Sequence, residues 1–143
     1  MALKYQNVIN DLKIENCPSN VGKPKEEMVV YRFSFAPIEN EHNFLPNFLI
    51  DQIKGAPFNY KKCDETRKCL RCGTSFFLSR DKTVDKWNNL SIQFKENYGY
   101  THIASGILKD EDGVMSEPSS EHFTFYENEN RELAKQFKII EEL

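Results

Sequence analysis

Val29-Val30-Tyr31-Arg32-Phe33-Ser34-Phe35 is the clearest strand in the chain. Apolar side chains at 29, 31, 33 and 35 share one face, and Arg32 and Ser34 share the other. That period-two alternation is the pattern of a strand with one covered and one wet face. It predicts Tyr31, Phe33 and Phe35 in a core and Arg32 toward solvent. Pro37 ends the strand, because proline cannot donate to a ladder.

Working outward, Val21 to Glu27 holds Gly22 and Pro24 and reads as a loop. Before it, Tyr5, Val8, Ile9 and Leu12 recur at helical spacing. After the strand, residues 46–54 suit a helix, with Pro46 in the first turn, Leu49 and Ile53 four apart, and Gly55 at the end. Thr74 to Leu78 reads as a short strand. Ser79 or Asp81 then caps a helix running to about Glu96. His102 to Leu108 and His122 to Tyr126 read as strands, joined by an acidic loop containing Gly113 and Pro118. Leu133, Phe137 and Ile140 predict a C-terminal helix. The expected fold is a single α+β domain over residues 1–143, a small, mostly antiparallel sheet packed with about four helices.

Composition supports a folded core. Aromatic residues are 13% of the 143 residues, with eleven Phe and six Tyr. Low hydrophobicity with high net charge, the condition for disorder, is absent. Nineteen basic against 22 acidic side chains leave a net charge of −3, which argues against a general nucleic-acid coat. No apolar run approaches the ~20 residues of a membrane span. The N-terminal residues lack the apolar stretch of a signal peptide, so the expected compartment is the cytoplasm. There the four cysteines are expected as thiols or metal ligands.

The stretch Cys63 to Phe77 concentrates chemistry. Cys69-Leu70-Arg71-Cys72-Gly73 is half of a zinc knuckle, because thiolates two residues apart can face one ion. Cys63 is the candidate third ligand, and Cys17, His42, His102 or His122 the fourth. The alternatives are buried thiols acting as small hydrophobes, or a redox pair at Cys69 and Cys72. Lys61, Lys62, Arg67, Lys68 and Arg71 make the segment locally basic. With Phe76 and Phe77 beside it, the segment is a candidate surface for single-stranded nucleic acid. His102 and His122 begin predicted strands that are expected as neighbours.

Two resemblances complete the reading. Tyr31-Arg32, then Thr74-Ser75-Phe76 leading into a helix, then a late acid at Glu121 or Glu127, resembles the order of ADP-ribosyltransferase-like domains. That resemblance implies Arg32 on NAD phosphates, Ser75 on a ribose, and the glutamate stabilising an oxocarbenium-like centre. The segment Cys69-Leu70-Arg71-Cys72-Gly73-Thr74-Ser75-Phe76 also resembles small bacterial proteins with a C-x2-C-G-x-S-F stretch, and implies no activity. The leading expectation is a non-catalytic bacterial domain that binds a partner protein, as in a defence or toxin–immunity system. The alternatives are an NAD-using enzyme and a zinc-knuckle nucleic-acid module.

Overall fold

The computed structural model describes residues 2–55 and 59–143, and in it the alternating stretch becomes strand β2, Met28–Ser34. β2 pairs over seven residues with β4, His102–Leu108. The remaining strands are β1 (Val21–Gly22), β3 (Thr74–Phe77), β5 (Gly113–Ser116), β6 (His122–Glu127) and β7 (Phe137–Glu142). All pairings are antiparallel, in the spatial order β1-β5-β6-β3-β2-β4-β7. Five α-helices among the described residues complete an α+β fold: α1 (Gln6–Asp11), α2 (Asn47–Lys54), α3 (Glu65–Arg71), α4 (Arg80–Asn88) and α5 (Ile92–Tyr98).

Local chemistry explains the helix boundaries. The side chains of Asp64, Ser79 and Ser91 accept from the backbone N–H groups of Arg67, Lys82 and Phe94, so each satisfies a donor that the first helical turn leaves orphaned. Gly55 ends α2 with φ 63°, a left-handed conformation that costs glycine nothing.

The sheet curls. Phe76 of β3 lies 5.6 Å from Phe137 of β7, three strands away. In a flat sheet that separation would be about 14 Å. Curling wraps an inner face around Phe76, Phe123, Phe125, Val30, Leu108 and Phe137, all buried. A second apolar cluster lies on the outer face, where Val8 and Ile9 of α1 meet Cys69, Cys72 and Tyr126.

Four sequence expectations change. Arg32 and Ser34 are buried, while Tyr31, Phe33 and Phe35 are only half-buried. From Val30 to Ser34 both faces of β2 are at least partly covered, so alternation no longer separates core from solvent. The helix expected to run to about Glu96 divides at Asn89–Ser91, where Ser91 caps α5. The acidic loop expected before Pro118 is a 3-10 turn, Asp110–Asp112, followed by β5, whose residues Gly113 to Met115 pair with β6. The expected C-terminal helix is a 3-10 turn, Leu133–Gln136, followed by β7. There Phe137 and Ile139 face the inner core and Lys138 points out.

Candidate functional site: a cationic cavity where two strands part

β2 and β3 register at one pair, Tyr31 with Phe77. Continuing the ladder would set Phe33 opposite Ser75. Instead the Arg32 side chain enters that gap. Its Nε donates to the Phe33 carbonyl at 3.2 Å and its Nη1 to the Ser75 carbonyl at 3.0 Å. A planar guanidinium thus supplies the donors that strand pairing does not, since its fork presents N–H groups on two edges.

The same gap admits the segment between β2 and α2. Asn43 closes it locally: its side chain donates to the carbonyls of Phe35, Pro37 and Ile38 and accepts from the Phe35 N–H. Asn47 docks the start of α2 on β3, donating its backbone N–H to the Gly73 carbonyl and its side-chain amide to Ser75 Oγ at 3.1 Å. Gly73 is required by closeness: a Cβ there would stand 2.8 Å from the Phe125 carbonyl oxygen.

Behind the gap, on the outer face, lies a cavity of about 440 Å³. Arg32, Phe33, Ser75 and Phe77 supply its sheet side, with His122 from β6. Arg67 and Arg71 of α3, Lys86 of α4 and Phe94 and Tyr98 of α5 wall it, with Asn47 and Tyr100. Its rings are in mutual contact: Tyr98 stacks on Tyr100 at 5.9 Å, Tyr100 meets Phe33 at 5.9 Å, and Phe33 meets Phe77 at 5.6 Å. No carboxylate lines it among the described residues.

Arg32 is the unusual group. It is 3% exposed. Its guanidinium lies 5.5 Å from the Phe76 ring centre and 5.8 Å from that of Phe44. Burial lowers its pKa from the ordinary arginine value, opposed by Tyr100 beside it. Arginine nonetheless stays charged, so a cation is held here out of water. Among the described residues it has no carboxylate partner. A buried charge without a counter-charge is costly, and it is found where something else supplies the opposite sign.

Arg71 is held differently. Its Nη2 lies 2.5 Å from Asp51 Oδ2, and Tyr60 donates to the same oxygen at 2.5 Å. Tyr98 donates to Asp51 Oδ1. Asp51 is 3% exposed, so this network joins α2, α3 and α5 behind the cavity. Burial, and then Asp51, push the Tyr98 pKa up, which keeps its hydroxyl a donor. Burial lowers the His122 pKa, and Lys86 adds to the effect.

The residues singled out from sequence divide. Arg32 and Ser75 line one cavity. Glu121 is exposed in the turn before β6, and Glu127 is buried at the other end of that strand, 2.6 Å from Lys4. Neither lines the cavity. Arg67 and Arg71 face it, whereas Lys61 and Lys62 are exposed in a 3-10 turn before α3 and Lys68 is half-buried. Phe76 is buried in the inner core, whereas Phe77, 5% exposed, lines the cavity rather than open surface. His102 and His122 stand on strands separated by β3 and β2.

The cysteine segment is a helix, not a knuckle. Cys69 is bonded to Cys17, whose Cα lies 5.6 Å away, because α1 packs on α3 in the outer cluster. That bond replaces the reduced state expected for the cysteines. It also takes Cys69 from the expected Cys63, Cys69, Cys72 metal set. Cys63 and Cys72 are free thiols. Among the described residues no group of three or more histidine, cysteine or acidic side chains is placed to hold a metal.

Sequence reasoning missed Asn47, Lys86, Tyr98 and Tyr100. The signal was faint: Tyr98-Gly99-Tyr100 reads as a helix end, yet the glycine turn sets both rings on the cavity. No family model matches the chain, and no curated protein or solved structure matches it. No helix among the described residues is long and apolar enough to cross a membrane.

Proposed function

We propose that this chain is a binding domain that holds an anionic small molecule in the Arg32 cavity. The observation that carries the reading is a guanidinium 3% exposed, facing a cavity of about 440 Å³, with no carboxylate against it. Small-molecule sites are mostly apolar clefts of ~300–1,000 Å³ with a few fixed polar groups, which this cavity resembles in size and lining. Asn47 and Ser75 add neutral hydrogen-bonding groups beside the charge. Phosphate and carboxylate both suit an arginine fork.

The transferase resemblance shares Arg32 and Ser75 with this reading. It lacks a glutamate at the cavity, so binding is the better-supported activity. The Cys17–Cys69 bond supports a compartment where disulfides persist rather than the cytoplasm. A second reading, binding of a partner protein, rests on Val29 and Ile107. They pair across β2 and β4 and are 51% and 37% exposed. Val29→Asp should then abolish association with that partner and leave anion binding intact.

The test of the anion reading is a thermal-shift series with inorganic phosphate, pyrophosphate and citrate. Stabilisation by bound ligand follows RT ln(1 + [L]/Kd), so about 10 mM of a millimolar ligand gives a measurable rise. A rise with at least one anion, lost in Arg32→Met, supports the reading. No rise with any of them overturns it.

A further inference from the structure

A second cavity, of about 470 Å³, adjoins the first and shares Phe77, Lys86 and His122 with it. The two cavities meet at those three side chains, and the two ends of the combined groove differ in chemistry. The deep end holds Arg32 and no acid. The outer end holds Asp85 and Asn89 of α4 and the hydroxyl groups of Ser119 and Ser120, with Lys82 beside them. Asp85 is the one carboxylate lining either cavity among the described residues. It forms no ion pair there, although Lys82 and Lys86 share its helix.

The turn that bounds the outer end is conformationally unusual. Ser120 and Glu121 have φ of 50° and 60°, and neither is glycine. Non-glycine residues adopt that region only rarely. The turn is pinned by reciprocal backbone bonds between Ser119 and His122, at 2.8 and 3.0 Å. Those bonds keep the Ser119 and Ser120 side of the groove in place. Between the two ends, Phe77 and His122 stand 5.1 Å apart, ring edge to face, and offer aromatic surface.

An occupant matching this sequence of groups is anionic at one end, planar in the middle, and rich in hydrogen-bond donors at the other. We infer that the ligand of the groove is a nucleoside monophosphate. Its phosphate lies against Arg32, its rings lie along Phe77 and His122, and its sugar hydroxyl or base amino groups donate to Asp85. The assignment rests on the anion reading above and adds the identity of the ligand's other half. A carboxylate accepts from hydroxyl and amino groups but repels a second phosphate, which sets the orientation.

Isothermal calorimetry on the full chain separates the two levels, using AMP, adenosine, inorganic phosphate and a single-stranded oligonucleotide. The inference expects AMP to bind at least about tenfold more tightly than either half alone, and Asp85→Ala to weaken AMP about tenfold. Asp85 is exposed, so that variant is expected to fold. Phosphate binding as tightly as AMP overturns the nucleoside half while the anion reading stands. Adenosine binding without any contribution from phosphate overturns both. Equal AMP affinity in Asp85→Ala overturns the orientation. An oligonucleotide more than about tenfold tighter than AMP replaces the small ligand with a nucleic-acid strand. Heat from none of the four overturns the inference together with the reading beneath it.

Discussion

Arg32 of β2 donates to the Ser75 carbonyl of β3 at 3.0 Å, at the place where those strands would otherwise be laddered. One side chain therefore both closes the sheet and charges the cavity. Arg32→Lys separates these roles, because it keeps the charge but not the planar fork that spans two carbonyls. A buried carbonyl left without its donor costs about 1–3 kcal/mol, so Arg32→Lys should be destabilised by that amount. Urea unfolding measures it, and a midpoint equal to wild type would remove the bridging role.

Asp51 should be among the least tolerant polar positions. It is 3% exposed and accepts from Arg71, Tyr60 and Tyr98. Asp51→Ala leaves the Arg71 charge partly buried without its carboxylate, which costs about 3–5 kcal/mol for such pairs. The double variant Asp51→Ala with Arg71→Met should recover part of the loss. A double variant no more stable than Asp51→Ala alone would show that loss of the carboxylate beside Arg71 is not the cause.

The elements with strong local signals were legible: β2, α2, β4 and β6 follow from periodicity, and Ser79 caps its helix as its side chain suggests. The side of β2 that is buried was not. Alternation reports the contrast between two faces, and here a curled sheet covers one and helices cover the other. Arg32 reads as a surface arginine for the same reason. Nothing local announces that β3 will part from β2, because at the parting Arg32 bridges to the Ser75 carbonyl and Asn47 docks the start of α2 on β3, contacts remote in sequence. The β7 strand was hidden by Leu133, Phe137 and Ile140, whose spacing suits a helix as well as a 3-10 turn leading into an edge strand.

The cysteines give a chemical check. Non-reducing peptide mapping should yield a Cys17–Cys69 linked pair. Cys63, half-buried, should alkylate in the native protein. Cys72 should not, since burial pushes its pKa up to about 11 and only the thiolate is nucleophilic. It should react once urea is added. The bond spans 52 residues, and the chain-entropy account gives such a loop about 4 kcal/mol of stability, which reduction should remove. Native-state alkylation of Cys72 at the rate of Cys63 would contradict the packing of α1 on α3.

His122 should make the fold sensitive to mild acid. Burial, and secondarily Lys86, depress its pKa in the folded chain. The unfolded chain, with an ordinary value of about 6.5, therefore binds the proton first. Because stability rises with pH wherever the unfolded state holds more protons, this contribution is fully present above about pH 6.5. It is lost as the pH falls through the lower folded value. Arg32 and Arg71 also face the cavity, and an arginine stays charged through this window. Urea midpoints between about pH 7.5 and 5 should fall less steeply in His122→Gln than in wild type. Saturating phosphate should flatten the wild-type slope, because an anion in the groove favours the protonated ring and raises its pKa. Equal slopes in wild type and His122→Gln would show that His122 is not buried against Lys86 in the folded protein.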